Sequence, residues 1–168
     1  MIHIILFEPE IPQNTGNIMR TCAATNTQLH LIKPLGFQLD EQRLRRSAMD
    51  YIDDLNYDVY ENLDEFTLKY PDACFYITRY GKKSPYEVNF TEVKGDIFLM
   101  FGKESTGIPK DLLKNHLERC LRLPMVKTAR SLNLSNSVAI VLYEVLRQLH
   151  FPDLSLVETQ KGEDWLTQ

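Results

Sequence analysis

The sequence predicts an α/β fold, a parallel β-sheet with flanking helices, in a single domain over residues 1–168. Strongly apolar segments alternate with helical ones along the whole chain, which is typical of consecutive strand–helix–strand units. Residues 2–7, 73–78 and 97–101 are almost continuously apolar, as expected of strands that are covered on both faces. A chain of this length buries a core large enough to fold without disulfides or metals.

Turn and capping residues place the remaining elements. Two prolines come before the first helix, and a proline closes the second strand. Asn62 is a favourable N-cap, with Glu65 at the third position of its helix. Pro109 is expected at the first position of a helix, and Ser135 or Asn136 begins the last helix, which stops before another proline. The expected helices cover about 15–25, 40–49, 63–70, 109–115 and 135–150, and the other strands cover 29–32, 57–60 and 122–125.

The last helix is apolar on nearly every side. Val138, Val141, Leu142 and Val145 mark one face at helical spacing, and most of the intervening positions are apolar too. Such a helix must be buried on more than one side, so we expect a second copy of the chain to cover one side and form a homodimer. The alternative is a central helix within the monomer. The tail over 152–168 is weakly patterned, and we expect Trp165 to hold it against the domain.

Composition and termini exclude several classes of protein. The chain carries 19 basic and 23 acidic residues, with 43% hydrophobic and 25% charged residues, which are globular values and argue against disorder. Its three cysteines are widely spaced without a C-x-x-C pair, so we expect neither a disulfide framework nor a metal site. No apolar segment is long enough to span a membrane, and the N-terminus lacks a secretory signal. We therefore expect a cytoplasmic protein that does not enter membranes. Its net charge of −4 does not show where charges cluster, so nucleic acid stays open as a partner.

Three loops after strands are the candidate binding regions, since ligands of parallel-sheet folds lie outside the carboxyl ends of the strands. These loops cover 8–16, 102–107 and 125–136. None is a dinucleotide or phosphate loop: no G-x-G-x-x-G is present, and Ile97 stands where a P-loop beginning before Gly102 needs glycine. The third loop and the residue after it, 125–137, combine five Ser or Asn residues with two basic ones at the start of the most apolar helix. This pattern indicates polar groups turned towards a ligand.

The same loops resemble the three motifs of the SPOUT methyltransferases. They read PEIPQNTGNIMR from residue 9, LMFGKESTGIP from residue 99, and LPM from residue 123 with SLNLSN from residue 131. Within that superfamily the chain is most similar to the short bacterial enzymes that methylate the ribose 2′-hydroxyl of the tRNA wobble nucleotide, cytidine or uridine 34. Arg43, Arg45, Arg46, Asp50 and Tyr51 also fit that subfamily.

The resemblance implies a deep trefoil knot at about residues 97–150, a homodimer, and S-adenosylmethionine as the cofactor. A cofactor without phosphates needs no P-loop, which agrees with the loops just described. The implied cofactor-binding residues, several acting through backbone groups, are Ile77, Thr78, Gly102, Leu123, Met125, Ser131 and Asn136.

The implied catalytic residues are Arg20, Asn14, Glu104 and Tyr143. Family mechanisms give Arg20 the activation of the hydroxyl; because a guanidinium is essentially always protonated, we expect it to stabilise an oxyanion or anchor a phosphate. Asn14 would orient Arg20 or the ribose, and Glu104 would lie in the wall near the cofactor and pair with Arg20 of the partner subunit. Tyr143 would act at the dimer interface or with the RNA, or serve only as an interface core residue.

The implied partner is the anticodon loop of tRNA. The residues expected to bind its phosphates are Arg43, Arg45, Arg46, Lys127 and Arg130, with Lys82 and Lys83 as further candidates; the alternative for each is an ordinary surface charge. Two other functions stay open. One is a SPOUT enzyme acting on ribosomal RNA, on a base or on another tRNA position, and the other is a non-catalytic protein that binds S-adenosylmethionine or RNA.

Overall fold

The computed structural model describes residues 1–38, 55–71 and 74–167. Within these ranges six strands form one sheet in the order β3-β2-β1-β5-β4-β6, and all five strand pairs are parallel. The prediction of an α/β fold with a parallel sheet is confirmed. The strands are β1 (Ile2–Phe7), β2 (Gln28–Ile32), β3 (Tyr57–Tyr60), β4 (Cys74–Ile77), β5 (Ile97–Phe101) and β6 (Cys120–Leu121).

The described helices lie close to their expected positions. They are α1 (Pro12–Ala24), α2 (Leu63–Lys69), α3 (Lys110–Lys114) and α4 (Leu134–Gln148). The Asn62 cap of α2 is confirmed, since its side chain accepts a hydrogen bond from the backbone N–H of Glu65 at 2.9 Å. The helix expected over 40–49, together with Arg43, Arg45, Arg46, Asp50 and Tyr51, lies outside the described residues.

Three helix starts differ from the prediction. α1 begins at Pro12 rather than near residue 15, because proline at the first helical position lacks only an N–H that would have no helical partner. Pro109 is the N-cap of α3 and not its first residue. α4 begins at Leu134, and its cap is Asn133, whose side chain accepts hydrogen bonds from two backbone N–H groups; the expected start at Ser135 or Asn136 is therefore wrong.

The strand expected over 122–125 is wrong as well. The edge strand β6 comprises only Cys120–Leu121, paired with Tyr76 and Ile77 of β4. Beyond these pairs, Leu121 forms an isolated parallel bridge with Lys83, and the backbone N–H of Arg122 donates to the carbonyl of Lys83 at 2.8 Å. The loop after β4 thus takes over the hydrogen bonding, and the apolar residues that follow continue without a strand partner.

Helices cover both faces of the sheet, with α1 and α4 on one face and α2 and α3 on the other. Alternate residues of β1 enter the two cores: Ile4 and Leu6 pack with α1 and α4, whereas Ile5 and Phe7 join the core that includes Phe66 of α2. This burial on both faces explains the continuous apolar runs of the central strands.

The core on the α2 side contains a buried histidine pair. His3 Nδ1 and His30 Nε2 are hydrogen-bonded at 2.8 Å, and His30 Nδ1 lies 3.0 Å from the hydroxyl of Tyr60. Burial lowers the pKa of His3 and lowers that of His30 to about 4, against the partly opposing effect of Asp58 and, for His3, of Asp96. Both rings are therefore neutral at neutral pH.

The segment after α4 contacts the domain through Phe151 and Leu154, which pack against the α1–α4 core. Trp165, which was expected to hold the tail, is about half exposed, and its ring lies under the ammonium group of Lys161 at 4.5 Å. Among the described residues, no helix is long and apolar enough to cross a membrane.

Candidate active site at the carboxyl ends of the strands

A cavity of about 820 Å³ lies where the loops after β1, β4, β5 and β6 converge. Its volume falls within the range of small-molecule sites, about 300–1,000 Å³. Six of the seven expected cofactor-binding residues line it: Ile77, Thr78, Gly102, Leu123, Met125 and Ser131. Asn14, Glu104 and Arg130 line it too.

The other expected site residues lie elsewhere. The backbone N–H of Asn136 donates to the side chain of Asn133 at 3.3 Å in the first turn of α4, so its place is in the helix cap. Arg20 is exposed on α1, and Tyr143 is 49% exposed on α4. Neither these two nor Lys127 belongs to the described residues that line the cavity.

Glu104 joins the second loop to the first. Its carboxylate accepts hydrogen bonds from the backbone N–H groups of Glu10 at 2.8 Å and Ile11 at 3.3 Å. It also accepts one from Nδ2 of Asn14 at 2.9 Å. Three donors of its own chain thus satisfy the carboxylate, so the expected pairing with Arg20 of a partner subunit is not needed to stabilise its charge.

Asn14 extends this connection to the third loop. Its Oδ1 accepts a hydrogen bond from Nδ2 of Asn133 at 3.0 Å. The Oδ1 of Asn133 in turn accepts hydrogen bonds from the backbone N–H groups of Ser135 and Asn136 at the start of α4. Because a carboxylate only accepts and a backbone N–H only donates, both amides have a single consistent orientation. A continuous chain of hydrogen bonds therefore fixes the three motif loops relative to one another.

Two further contacts tie the first two loops together. The carboxylate of Glu10 accepts hydrogen bonds from the N–H and hydroxyl groups of Ser105, both at 2.8 Å, and these bonds lower its pKa. Lys103 Nζ lies 2.6 Å from the carboxylate of Glu8, which raises the pKa of the lysine. Glu8, Glu10 and Lys103 therefore serve largely to shape the cavity.

Gly102 makes a close backbone approach inside the second loop. A Cβ at this position would lie 2.2 Å from the carbonyl carbon of Gly107 and 2.3 Å from the nitrogen of Ile108. Gly107 itself has a φ of +75°, a conformation that favours glycine. Both glycines are thus required by the turn that forms one wall of the cavity.

Residues 78–80, directly after β4, form a fourth wall of the cavity, in which Thr78 was expected and Arg79 and Tyr80 were not. Arg79 and Tyr80 line the cavity, and the ring of Tyr80 lies 5.5 Å from the guanidinium carbon of Arg79. An aromatic residue between basic ones directly after a predicted strand was the available signal. This segment lies outside the three family motifs.

Comparison with known proteins agrees with this geometry. The family model described as "SpoU rRNA Methylase family" matches residues 1–143. A Geobacillus stearothermophilus protein, provisionally named tRNA (cytidine(34)-2'-O)-methyltransferase, is 51% identical over 92% of this chain and 99% of its own length. The tRNA (cytidine(34)-2'-O)-methyltransferase of Saccharophagus degradans is 44% identical over 90% of this chain and 97% of its own.

A solved structure concerned with 2-OH methylation of C/U34 on tRNA superimposes with a TM-score of 0.81 at 38% identity, covering 89% of this chain and 97% of that one. The fold expected from the resemblance, apart from its knot, is therefore present. With the family match extending over most of the sequence, the chain belongs to the SpoU rRNA methylase family.

Proposed function

We propose that this protein is a tRNA methyltransferase that uses S-adenosylmethionine to methylate the ribose 2′-hydroxyl of wobble nucleotide 34, a cytidine or uridine. The observation that carries the proposal is the hydrogen-bonded line Glu104–Asn14–Asn133, which assembles three motif loops around one cavity. Relatives with this activity in their names match nine-tenths of the chain, which supports the choice of tRNA over ribosomal RNA.

The residues of the cavity fit S-adenosylmethionine. Its walls combine apolar side chains such as Leu123 with polar groups such as Thr78, and the approach at Gly102 brings backbone atoms close to the space. Ile77, Met125 and Ser131 would complete the cofactor site. When bound, the cofactor supplies an electrophilic methyl group on a sulfonium centre.

The protein's own residues supply position and charge. Asn14 and Glu104 fix the loops, so that a ribose entering the cavity meets a preformed wall; such positioning contributes several kcal/mol to rate enhancement. Arg20 stays cationic and stabilises the oxyanion that forms as the 2′-hydroxyl loses its proton, or holds a neighbouring phosphate. Lys127 and Arg130, in the third loop, are suited to the phosphates of the anticodon loop.

A homodimer is part of the proposal. The side of α4 that carries Ile140 and Tyr143 is exposed in the single chain, at 39% and 49%, whereas the face that carries Val138, Val141 and Leu142 is buried. A second copy covering it would explain the composition of α4. It also offers a way to bring Arg20 to a cavity that Arg20 does not line in its own chain.

A trefoil knot at about 97–150 is likewise proposed. The chain leaves the edge strand β6 and returns across the end of the sheet to Asn133, which is bonded to Asn14 of α1. This crossing supports a knotted C-terminal region. The proposed location is the cytoplasm, because tRNA is the substrate.

The test is methyl transfer from labelled S-adenosylmethionine to unfractionated tRNA from cells that lack this protein. We expect a 2′-O-methyl group at nucleotide 34, located by digestion and mass spectrometry. The Arg20→Ala variant should lose turnover while it keeps its affinity for the cofactor. Label in ribosomal RNA instead would refute the tRNA assignment, and label in neither RNA would favour a binding-only protein.

A further inference from the structure

The rim of the cavity carries a large aromatic ring, that of Tyr80, which is not packed in the hydrophobic core. Tyr80 is 73% exposed, although it lines the same cavity as Phe101 and Leu123, whose side chains are buried at 2% and 6% exposure. A tyrosine that only closed the cofactor space would lie against those apolar residues. Most of this ring instead faces outward, where a second ligand would arrive.

The loop that presents Tyr80 is held in place from several sides. The backbone N–H of Tyr80 donates a hydrogen bond to the hydroxyl of Thr78 at 3.3 Å. Arg122 donates through Nη1 to the carbonyl of Arg79 at 2.7 Å. A Cβ on Gly81 would lie only 2.6 Å from the carbonyl carbon of Leu121, so this loop packs directly on β6. The ring is therefore presented by a fixed backbone, which reduces the entropy lost when a ligand stacks on it.

The surroundings of the ring are basic. The segment 78–84 contains Arg79, Lys82 and Lys83 and no acidic residue, in a chain whose net charge is −4. The guanidinium group of Arg79 lies 5.5 Å from the Tyr80 ring centre, within cation–π range. Arg130 lines the same cavity. An exposed aromatic face among cationic side chains is the arrangement that binds unpaired bases and their phosphates.

We propose that Tyr80, supported by Arg79, is a stacking platform for an unpaired nucleobase of the RNA, adjacent to the ribose that enters the cavity. Lys82 would neutralise a neighbouring phosphate, and Lys83 would do so by exchanging its ion pair with Glu118, at 3.6 Å, for a phosphate. The inference rests on the proposed function, because it requires RNA at this cavity. It adds a nucleobase contact on a wall outside the three family motifs.

The test compares Tyr80→Ala with Tyr80→Phe in the full-length protein. Stacking on an aromatic ring is worth about 1–3 kcal/mol per base, so Tyr80→Ala should raise the KM for tRNA between about 5-fold and about 150-fold. Tyr80→Phe keeps a ring and should stay close to the parent. The matched control is Tyr86→Ala, which removes a tyrosine that is 54% exposed and lies outside the described lining of this cavity.

Binding of S-adenosylmethionine distinguishes the two possible roles of the ring. We expect its Kd, measured without RNA, to be the same in Tyr80→Ala and the parent. An anticodon stem-loop carrying 2-aminopurine in its loop should show fluorescence quenching with the parent and not with Tyr80→Ala. An unchanged KM for tRNA, or a cofactor Kd that rises as much as the KM, would overturn the proposal.

The proposed function and the stacking platform are refuted by different results. If the parent methylates nucleotide 34 and Tyr80→Ala does so with the same KM, only the stacking platform is refuted. If the parent methylates no tRNA, the quenching experiment with the stem-loop still decides whether Tyr80 stacks on a base.

Discussion

Replacing Asn14 by aspartate should make the stability of this protein depend on pH in a specific way. The side chain of Asn14 is 6% exposed, and its Nδ2 donates to Glu104 at 2.9 Å. Asn14→Asp keeps the shape but puts an oxygen where the donor was, so two carboxylates face each other. Like charges at this distance cannot both be ionised without a large cost, and the pair retains a proton instead.

The magnitude follows from the proton that the folded state must hold. An ordinary aspartate has a pKa of about 3.9, and holding it protonated at pH 7 costs up to about 4 kcal/mol. The cost falls by about 1.4 kcal/mol per pH unit, to about 1.5 kcal/mol at pH 5. The pKa of the new carboxyl is raised in the folded state. The loss of unfolding free energy therefore grows as the pH rises above the pKa that this carboxyl has in the unfolded state.

The assay is urea unfolding of the parent and of Asn14→Asp between pH 5 and pH 8. Asn14→Ala is the control: it removes a hydrogen bond to a charged group, worth about 1.5–3 kcal/mol, with no new titrating group and hence little pH dependence. The double variant Asn14→Asp with Glu104→Gln restores a donor opposite an acceptor and should recover most of the stability. Equal pH dependence of Asn14→Asp and Asn14→Ala would refute the contact between Asn14 and Glu104.

Three further predictions concern the cavity wall, the histidine pair and the dimer. Gly102→Ala places a Cβ 2.2 Å from the backbone of Gly107, so we expect a loss of at least about 1–3 kcal/mol in unfolding free energy and weaker cofactor binding by calorimetry. Burial lowers the pKa of His30 to about 4 from 6.5. Its contribution to stability is thus complete above pH 6.5 and is lost as the pH falls towards 4, by up to about 3 kcal/mol in urea unfolding. Ile140→Lys should convert the proposed dimer to a monomer in sedimentation velocity experiments at micromolar concentration.

Each of these has a matched control. Gly162 has a φ of +88°, but no atom lies within 4 Å of a Cβ added there, so Gly162→Ala should leave cofactor binding unchanged. His30→Gln should flatten the pH dependence between 6.5 and about 4, and an unchanged slope would contradict the assignment to this pair. Leu117→Lys alters an equally apolar exposed residue outside α4 and should leave the oligomer intact. A parent protein that sediments as a monomer would contradict the dimer.

Local patterning was sufficient for most of the secondary structure. The apolar runs gave β1 and β5 with their observed bounds, and Asn62 gave the start of α2. The predictions of secondary structure are wrong where a local sequence pattern is compatible with more than one structure. Residues 122–125 are apolar enough for a strand, but Arg122 bonds to Lys83 instead of a strand partner. Ser135 or Asn136 was expected to begin α4, but Asn133 is the residue whose side chain reaches the helix N–H groups.

The sequence by itself determined the fold class and the positions of β1 to β5, because burial on both faces and helix capping are encoded within a few neighbouring residues. The three motif loops were identified from their places after strands and from the family resemblance. Only the tertiary structure decided what the motif residues do. Asn14 meets Glu104 across 90 residues of chain and Asn133 across 119. The tertiary structure also places Tyr80 on the rim of the same cavity. Contacts over such separations depend on how the strands order themselves in the sheet, and no local pattern of side chains contains that order.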